Sequence, residues 1–183
     1  MLDTRSLFFK KFLTDPSVVG SCTPSSHYLA RTMLSRLPWN DLDTIVELGA
    51  GTGVFTEYIE RHRKQNSTFL IIEQDPDMRA CLQQRFPSAV FGSHAENLSY
   101  LLKCCGRSQA SCIISSLPFT VFPADLQHRI LQQAAAVLSP GGEFTAIQYS
   151  PFQYSLFHRY FPHIHVSFEV RNIPPSFIFH CKK

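Results

Sequence analysis

Residues 44–56 read TIVELGAGTGVFT, a β-branched apolar run that leads into three closely spaced glycines and then into a helical pattern. The glycines are Gly49, Gly51 and Gly53. Because glycine has no side chain and tolerates positive φ, such a loop lets the backbone approach a ligand closely. The stretch therefore predicts a ligand-binding loop between the first strand of a sheet and the helix that follows it.

Apolar, β-rich runs alternate with helical patterns along the rest of the chain. We predict strands at 44–48, 68–73, 89–92, 111–116, 143–149, 164–170 and 176–181. We predict helices at 24–37, 53–64, 76–85, 95–104, 124–138 and 152–160, with the SPGG stretch ending the fifth. Strands with few polar interruptions, separated by helices, favour a parallel sheet covered on both faces. We therefore expect a doubly wound, Rossmann-like α/β fold whose seven-stranded, mostly parallel sheet has an antiparallel edge.

Length and composition indicate one ordinary globular domain. The chain has 183 residues, 44% of them hydrophobic, which is enough for a core without disulfides or metals. We expect 1–183 to form a single domain, with 1–37 as a helical segment that covers the site. The net charge of +3 is too small to indicate a nucleic-acid binder by itself.

Cysteine use and hydropathy favour a cytoplasmic protein. The six cysteines show no metal-binding spacing, and we expect Cys81, Cys104 and Cys112 to be buried thiols. No apolar stretch is long enough to span a bilayer, and the N-terminus lacks the features of a signal peptide. We therefore do not expect the chain to be exported.

The spacing of the three glycines disfavours a pyrophosphate ligand. The dinucleotide fingerprint GxGxxG needs a last glycine for close packing of helix on strand, and that position here is Val54. A P-loop needs Gly-Lys-Ser/Thr, which does not follow. Glu47, just before the loop, would also repel a phosphate.

Two acidic residues indicate a cationic ligand that carries a ribose. Glu47 suits an ammonium group, and the alternative is a partner for the start of the next helix or a solvent-facing strand end. Glu73 ends the second strand, where a ribose-binding carboxylate belongs in this kind of fold. S-adenosylmethionine (SAM) meets both demands, because it joins an amino acid, a sulfonium, a ribose and an adenine without a phosphate.

Five ordered blocks of the chain resemble the class I SAM-dependent methyltransferases. VELGAGTG is similar to the first motif of that family, and IIEQDPDM is similar to the second. FGSHAENL lies where the third motif occurs, IISSLPF is similar to the fourth, and LSPGGEFTAIQYS resembles the stretch around the fifth strand. The resemblance extends over nearly the whole chain and implies a methyltransferase with SAM as its cofactor.

The predicted cofactor residues lie on successive loops. The resemblance implies that the glycine loop surrounds the methionyl part of SAM, that Glu73 takes the ribose hydroxyls and that Gln74 flanks the adenine. His94 stands where the family commonly has an aspartate in the third block. The full set is Glu47, Gly49, Ala50, Gly51, Gly53, Glu73, Gln74, Ala95, Glu96 and Ser115.

The ribosomal RNA adenine dimethyltransferases are one similar sub-family, with near counterparts of VELGAGTGVFT and IIEQD. Their fourth motif is Asn-Leu-Pro followed by Phe or Tyr, and its Asn accepts hydrogen bonds from an exocyclic amine. Here Ser116 takes that position and lacks the carbonyl. Those enzymes also carry a helical RNA-binding domain, whereas this sequence ends just beyond its last predicted strand. Adenine methylation is therefore an alternative, as is a small-molecule methyltransferase of the same fold.

The bacterial phospholipid N-methyltransferases, which convert phosphatidylethanolamine toward phosphatidylcholine, are the closer sub-family. VGSCTPSSHYLARTML (19–34) is similar to their Pro-Ser-Ser segment, SSLPF to their fourth motif, and VRNIPPSFIFHCKK (170–183) to their closing stretch. Two of these stretches lie outside the SAM-binding core, so they inform the choice of acceptor. We predict methylation of phosphatidylethanolamine and its partly methylated forms at a membrane surface, with no stable nucleic-acid partner.

Residues 1–13 have an amphipathic pattern when placed on a helix. A basic amphipathic helix with aromatic residues lies naturally in the headgroup region of a membrane. The alternative is a helix packed on the sheet of the domain, and both interpretations remain open. If the segment binds a membrane, we expect the cytoplasmic protein to be attached peripherally to the inner face of that membrane. One side carries Leu2, Phe8, Phe9, Phe12 and Leu13, and the other carries Asp3, Ser6, Lys10 and Lys11.

Transfer of a methyl group to an amine requires the neutral amine. An alkylammonium like that of lysine has a pKa of about 10.4, which a dry pocket beside a sulfonium lowers. A hydroxyl or imidazole can then relay the departing proton, and the catalytic candidates are Ser116, His27 and Tyr28. The predicted acceptor-binding residues are Ser25, Ser26, Leu117, Pro118, Phe119 and Tyr149.

His163 and His165 alternate along one predicted strand, which places two imidazoles side by side. No third ligand follows at a recognisable spacing. We therefore expect a pair on an edge strand and no metal site.

Overall fold

The structure is a computed structural model that describes residues 27–183 with the exception of residue 173. The predicted amphipathic segment 1–13 and the predicted acceptor residues Ser25 and Ser26 lie outside the described residues. The predicted N-terminal segment 1–37 is described from His27 onward.

Seven strands within the described residues form one sheet in the order β3-β2-β1-β4-β5-β7-β6. Strands β1 to β5 are parallel, and β7 lies antiparallel between β5 and β6. This arrangement confirms the predicted doubly wound fold with its antiparallel edge. The strands are β1 (Thr44–Leu48), β2 (Thr68–Ile72), β3 (Val90–Gly92), β4 (Ala110–Ser115), β5 (Leu138–Gln148), β6 (His163–Glu169) and β7 (Ser176–Lys182).

Helices of the described region cover both faces of this sheet. The predicted helices at 95–104 and 152–160 each begin as a 3-10 turn, at Ala95–Asn97 and Pro151–Gln153. The α-helices are α1 (His27–Leu34), α2 (Val54–His62), α3 (Pro76–Arg85), α4 (Leu98–Cys104), α5 (Ala124–Val137) and α6 (Tyr154–His158).

The prediction that the glycines of SPGG cap the fifth helix is wrong. Helix α5 ends at Val137, and the next residue already has an extended backbone. Pairing with β4 then passes from Ala110–Leu138 to Cys112–Glu143, so residues 139–142 form a bulge inside β5. Because the bulged backbone needs a positive φ, which is 74° at residue 141, the glycines serve the strand.

Two hydrophobic clusters form the core, one on each face of the sheet. Helices α1, α2 and α3 supply one cluster, and α4, α5 and α6 supply the other. Phe157 of α6 is fully buried, and its ring packs edge-to-face on Phe119, Phe144 and Phe179 at centroid distances of 5.3, 5.8 and 5.1 Å. Aromatic packing thus fixes the short helix α6 against β5 and β7.

The cysteines differ in part from their prediction as buried thiols. Cys112 is buried in β4, whereas Cys81 and Cys104 are exposed on α3 and α4. Apolar neighbours in sequence point in different directions on a helix, so they do not bury these two thiols.

His163 and His165 are exposed on β6, the edge strand of the sheet. In the described part of the chain, no group of three or more His, Cys, Asp or Glu side chains is arranged to hold a metal ion.

Within residues 27–183, no helix combines the length and the apolar character needed to cross a membrane.

Replacing Phe157 by alanine should destabilise the fold by about 3–5 kcal/mol, because it removes a fully buried ring. The matched control is Phe152→Ala, since this ring is 87% exposed and should change stability by less than about 0.5 kcal/mol. Urea unfolding followed by circular dichroism measures both. Equal effects of the two substitutions would mean that α6 does not pack as described.

Candidate active site

Six loops meet at the carboxyl edge of the parallel strands, where ligands bind in doubly wound sheets. Five of them follow β1, β2, β3, β4 and β5. The turn between β6 and β7 joins them because Phe177, near the start of β7, pairs with Gln148 at the end of β5. The predicted motifs therefore lie on one side of the sheet.

The glycine loop after β1 has a backbone that only glycine adopts easily. The φ angles of Gly49, Gly51 and Gly53 are 78°, 55° and 87°. A Cβ at Gly49 would lie 2.8 Å from Leu117, and one at Gly53 would lie 2.7 Å from Leu82. A Cβ at Gly51 would meet no protein atom within 4 Å. The loop is thus packed at both ends and open in the middle.

Glu73 follows β2 directly and holds the glycine loop. One carboxylate oxygen accepts a hydrogen bond from the Gly51 N–H at 2.7 Å, and the other accepts one from the Asp75 N–H at 2.9 Å. Burial raises the pKa of Glu73, and these two hydrogen bonds oppose the rise. Each oxygen keeps a second lone pair, so the side chain can also accept hydrogen bonds from ligand hydroxyls.

Glu47 is a second buried acid, one residue before the end of β1. Its Oε2 accepts a hydrogen bond from the Thr56 hydroxyl at 2.7 Å, in the first turn of α2. Its Oε1 is buried and has no hydrogen-bond partner among the described residues. Burial raises the pKa of Glu47 to about 8, and the nearby Glu73 carboxylate adds to the rise. One oxygen therefore supports the helix, as the alternative interpretation expects, and the other is available to a cation.

Side-chain hydrogen bonds connect the loops to one another. The Ser116 hydroxyl, just after β4, donates to the carbonyl oxygen of Gly49. Gln148 is 2% exposed at the end of β5, and its Nε2 donates to the carbonyl oxygen of Leu117 at 2.8 Å. Together with the Gly51–Glu73 hydrogen bond, these contacts join the loops after β1, β2, β4 and β5 into one frame.

Residues 45–142 match a protein-family model described as a methyltransferase domain. The chain is also 34% identical over 181 residues to an ornithine lipid N-methyltransferase of Singulisphaera acidiphila, a match that covers 96% of this chain and 94% of that protein. The chain belongs to the class I SAM-dependent methyltransferases. Among them, this methyltransferase is close to the lipid N-methyltransferases.

Solved structures share the fold of this methyltransferase. The N-methyltransferase NodS from Bradyrhizobium japonicum, in complex with S-adenosylhomocysteine (SAH), has a TM-score of 0.66 at 12% identity, covering 86% of this chain and 85% of that one. A 16S rRNA N2 G1207 methyltransferase of T. thermophilus, in complex with AdoMet and guanosine, has a TM-score of 0.65 at 22% identity. That match covers 90% of this chain but 44% of the rRNA enzyme, so this chain spans less than half of its length.

SAM is the cofactor of this methyltransferase. The residues of the site fit it, because the middle of the glycine loop is open and the unpartnered oxygen of Glu47 suits an ammonium group. Glu73 retains lone pairs for ribose hydroxyls. When bound, SAM supplies a methyl group on a sulfonium.

The residues predicted for the adenine side lie next to Glu73. The Glu73 N–H donates to the carbonyl oxygen of Gly92 at 3.0 Å, so the loops after β2 and β3 run side by side. Gln74 and Glu96 are half-buried there, and Ala95 is buried. The assignment of these three residues to the adenine remains a prediction.

The predicted acceptor wall divides between the crevice and the core. Leu117 packs over Gly49, and Pro118 beside it is half-buried. The ring of Phe119 is fully buried and packs edge-to-face on Phe157. A 3-10 turn that begins at Phe119 directs this ring inward. Phe119 therefore packs in the core, and its assignment to the acceptor wall remains a prediction.

The predicted catalytic residues lie in two places. Ser116 belongs to the frame, because its hydroxyl donates a hydrogen bond to the carbonyl oxygen of Gly49. The neighbouring Ser115 hydroxyl accepts a hydrogen bond from the Leu117 N–H at 3.3 Å. His27 and Tyr28 are exposed at the start of α1. Their roles in catalysis remain predictions.

Tyr28 lies beside the turn after β6, and Tyr149 lies at the end of β5. The Arg171 guanidinium, in the turn after β6, lies 4.1 Å from the centre of the Tyr28 ring and thus connects α1 to that turn. Tyr149 follows β5 directly and is exposed.

Some residues of the site carry little signal in the sequence. Arg85 donates to the carbonyl oxygen of Thr52 at 2.8 Å, and Arg79 donates to that of Glu73 at 2.7 Å. Both arginines lie on α3, and nothing in the local pattern distinguishes them from solvent-exposed residues. Gln148 could have been found, because a polar residue ends an otherwise apolar run there.

Replacing Gly51 by alanine should weaken SAH binding far more than it weakens the fold. The new methyl group meets no protein atom but occupies the open middle of the loop. The control is Gly106→Ala, which has a similar φ of 69° and equally open surroundings away from the site. Both should lose about 1–2 kcal/mol of stability through backbone strain. Calorimetric titration with SAH should show a loss of affinity for Gly51→Ala alone, and equal affinities would contradict this placement of the cofactor.

The ligand-free protein should lose stability as the pH rises from about 4.5 to about 8. In this window the Glu47 carboxyl is ionised in the unfolded chain but still protonated in the folded one. The folded state therefore binds more protons, and its stability falls with rising pH. The Glu47→Gln variant keeps the shape but cannot ionise, so its decline should be smaller. The raised pKa of Glu73 also lowers stability as the pH rises, and it does so in both wild type and Glu47→Gln.

Urea unfolding across this pH window measures the difference between wild type and Glu47→Gln. Parallel pH profiles of the two proteins would mean that Glu47 does not titrate as described.

Proposed function

We propose that this methyltransferase transfers methyl groups from SAM to the primary amine of a lipid headgroup. The observation that carries the proposal is the 34% identity to an ornithine lipid N-methyltransferase, a match that includes 94% of that protein. Such a match extends beyond the cofactor loops to the segments before β1 and after β5. Because the similarity is not confined to the cofactor loops, it supports a shared class of acceptor as well as a shared cofactor.

Two amine-bearing lipids are candidates for the acceptor. Ornithine lipid comes first, because the relative that supports the proposal is named for it. Phosphatidylethanolamine comes second, because the sequence motifs SSLPF and VRNIPPSFIFHCKK resemble those of the phospholipid N-methyltransferases. Both molecules present an amine on a short alkyl chain near an anionic group, so one site chemistry suits both.

The contribution of the protein is to hold a neutral amine in line with the methyl group and to keep water away. Leu117 and Pro118 provide an apolar surface next to the glycine loop. An apolar environment lowers the pKa of an amine and so favours its nucleophilic form. Ser116 lies at the same place, and its oxygen retains lone pairs that can accept a hydrogen bond from the amine. The amine becomes a methylated ammonium when it takes the methyl group, and it then loses one N–H proton to water at the exposed edge.

Adenine methylation of ribosomal RNA is the alternative that the experiment must test. Radiolabelled SAM is offered in parallel with ornithine lipid, phosphatidylethanolamine and ribosomal RNA, each with the full chain. We expect label in one or both lipids. The Glu73→Ala variant should lose activity because it loses both the ribose contact and the support of the glycine loop, whereas Gly106→Ala should remain active.

Label in RNA alone would contradict the proposal, as would a lack of label in both lipids. Label in phosphatidylethanolamine without ornithine lipid would keep the reaction and reverse the order of the two acceptors.

A further inference from the structure

Gln148 places a buried amide next to the fourth motif, at the carboxyl edge of the sheet. It ends β5 and is 2% exposed. The parallel pairing of β4 with β5 reaches Ser115 and Ala146, so Leu117 and Gln148, each two residues further on, are level with each other. The Nε2 of Gln148 donates to the carbonyl oxygen of Leu117 at 2.8 Å. The amide therefore lies beside the residues that follow β4, where the acceptor is expected.

The orientation of this amide follows from its two partners. Its Nε2 also donates to the carbonyl oxygen of Ile147. Because carbonyl oxygens only accept hydrogen bonds, the nitrogen must face both of them and the amide oxygen must take the opposite corner. Within the described residues, neither hydrogen bond of the side chain uses Oε1. That oxygen keeps its lone pairs for a donor that comes from elsewhere.

The fourth motif itself lacks an amide oxygen. The ribosomal RNA adenine dimethyltransferases, which it resembles, have an Asn there that accepts hydrogen bonds from the amine. Ser116 takes this position, and its hydroxyl proton is donated to the carbonyl oxygen of Gly49. The Ser116 oxygen can accept one N–H of an acceptor amine, whereas a neutral primary amine has two. A second acceptor beside Ser116 would hold the other N–H and so direct the nitrogen lone pair.

We propose that the amide oxygen of Gln148 accepts an N–H of the acceptor amine and takes the role of the missing Asn. The inference rests on the proposed function, because it assigns a contact to the amine of the acceptor. The carbonyl oxygens of Leu117 and Ile147 fix the amide before the lipid binds, so the oxygen is preorganised. The hydrogen bond would form where little water competes for it. Gln148 is then a catalytic residue as well as a member of the frame.

The contact can assist the early methylations but not the third. In each step the amine nitrogen uses its lone pair to form a bond to the methyl carbon, and the carbon–sulfur bond breaks with its electron pair left on sulfur. A primary or secondary amine then loses one N–H proton to water. The neutral primary amine has two N–H groups, the monomethyl amine has one and the dimethyl amine has none. The amide oxygen of Gln148 therefore has nothing to hold when the dimethyl amine reacts.

Steady-state methylation of paired acceptors tests this contact. Ornithine lipid and phosphatidylethanolamine are each offered to the full chain in detergent micelles, as the primary amine and as the N,N-dimethyl form. The Gln148→Met variant keeps the length of the side chain but removes its oxygen and its N–H groups. Relative to wild type, it should lose about tenfold more kcat/KM with the primary amine than with the dimethyl form.

Gln127→Met is the matched control. The Nε2 of Gln127 also donates to two backbone carbonyl oxygens, those of Phe119 and Phe122, at 2.7 and 2.8 Å. This amide supports the segment that follows the fourth motif. Loss of such support should change kcat/KM for both acceptors by the same factor, so the ratio of the two values should stay as in wild type.

Equilibrium binding provides a second measurement that does not depend on methyl transfer. The protein is first saturated with SAH and then titrated with the primary amine lipid or with its N,N,N-trimethyl form, which has no N–H at any pH. Gln148→Met should bind the primary amine about tenfold more weakly than wild type and the trimethyl form equally well. Equal affinities of the two proteins for SAH would show that the crevice keeps its shape.

The outcomes separate this inference from the proposed function. Lipid methylation by wild type together with an equal loss for both acceptors in Gln148→Met would show that Gln148 only supports the frame, and the inference alone would fail. Methylation of neither lipid by wild type would refute the proposed function and the inference with it. Where wild type methylates the primary amine but not the dimethyl form, the binding comparison decides.

Discussion

The hydrogen bond between the Gly51 N–H and the Glu73 carboxylate sets the separation of the first two loops of the site. It requires a buried carboxylate at the end of β2 and a backbone whose N–H turns toward it, which the positive φ of Gly51 provides. Ser116 and Gln148 extend the same principle, because each uses a side chain to hold the backbone of a neighbouring loop. The crevice is therefore shaped by strand ends that are fixed relative to one another before any ligand arrives.

The two buried acids make this crevice selective for charge. Burial raises the pKa of both Glu47 and Glu73, so the ligand-free protein holds them in an environment that disfavours their charged forms. A cationic ligand relieves this cost, whereas a phosphate would increase it. The same electrostatic preference supports SAM over a dinucleotide, and it explains why a glycine-rich loop of this kind carries acids rather than lysine beside it.

Local patterns in the sequence predict most of this fold, and long-range pairing determines the rest. The alternation of strands and helices and the placement of Glu73 follow from short segments that the structure confirms. The bulge at 139–142 depends on how β5 pairs with β4, so glycines that resemble a helix end serve a strand instead. Phe119 lies in the core because α6 brings Phe157 against it from far along the chain. The local pattern marks Gln148 as a polar residue at the end of an apolar strand, but its partner, the carbonyl oxygen of Leu117, is 31 positions earlier and follows only from the pairing of β4 with β5.

The central prediction is that the unpartnered oxygen of Glu47 receives the ammonium group of the cofactor. Calorimetric titration with SAH in buffers of different ionisation enthalpy measures the protons released on binding. At neutral pH the carboxyl of Glu47 is largely protonated, because its pKa is about 8 in the ligand-free protein. A nearby cation lowers that pKa, so wild type should release close to one proton more than Glu47→Gln, in which Glu73 is the remaining buried acid of the site. Tight binding without proton release by wild type, or equal release by both proteins, would contradict this claim.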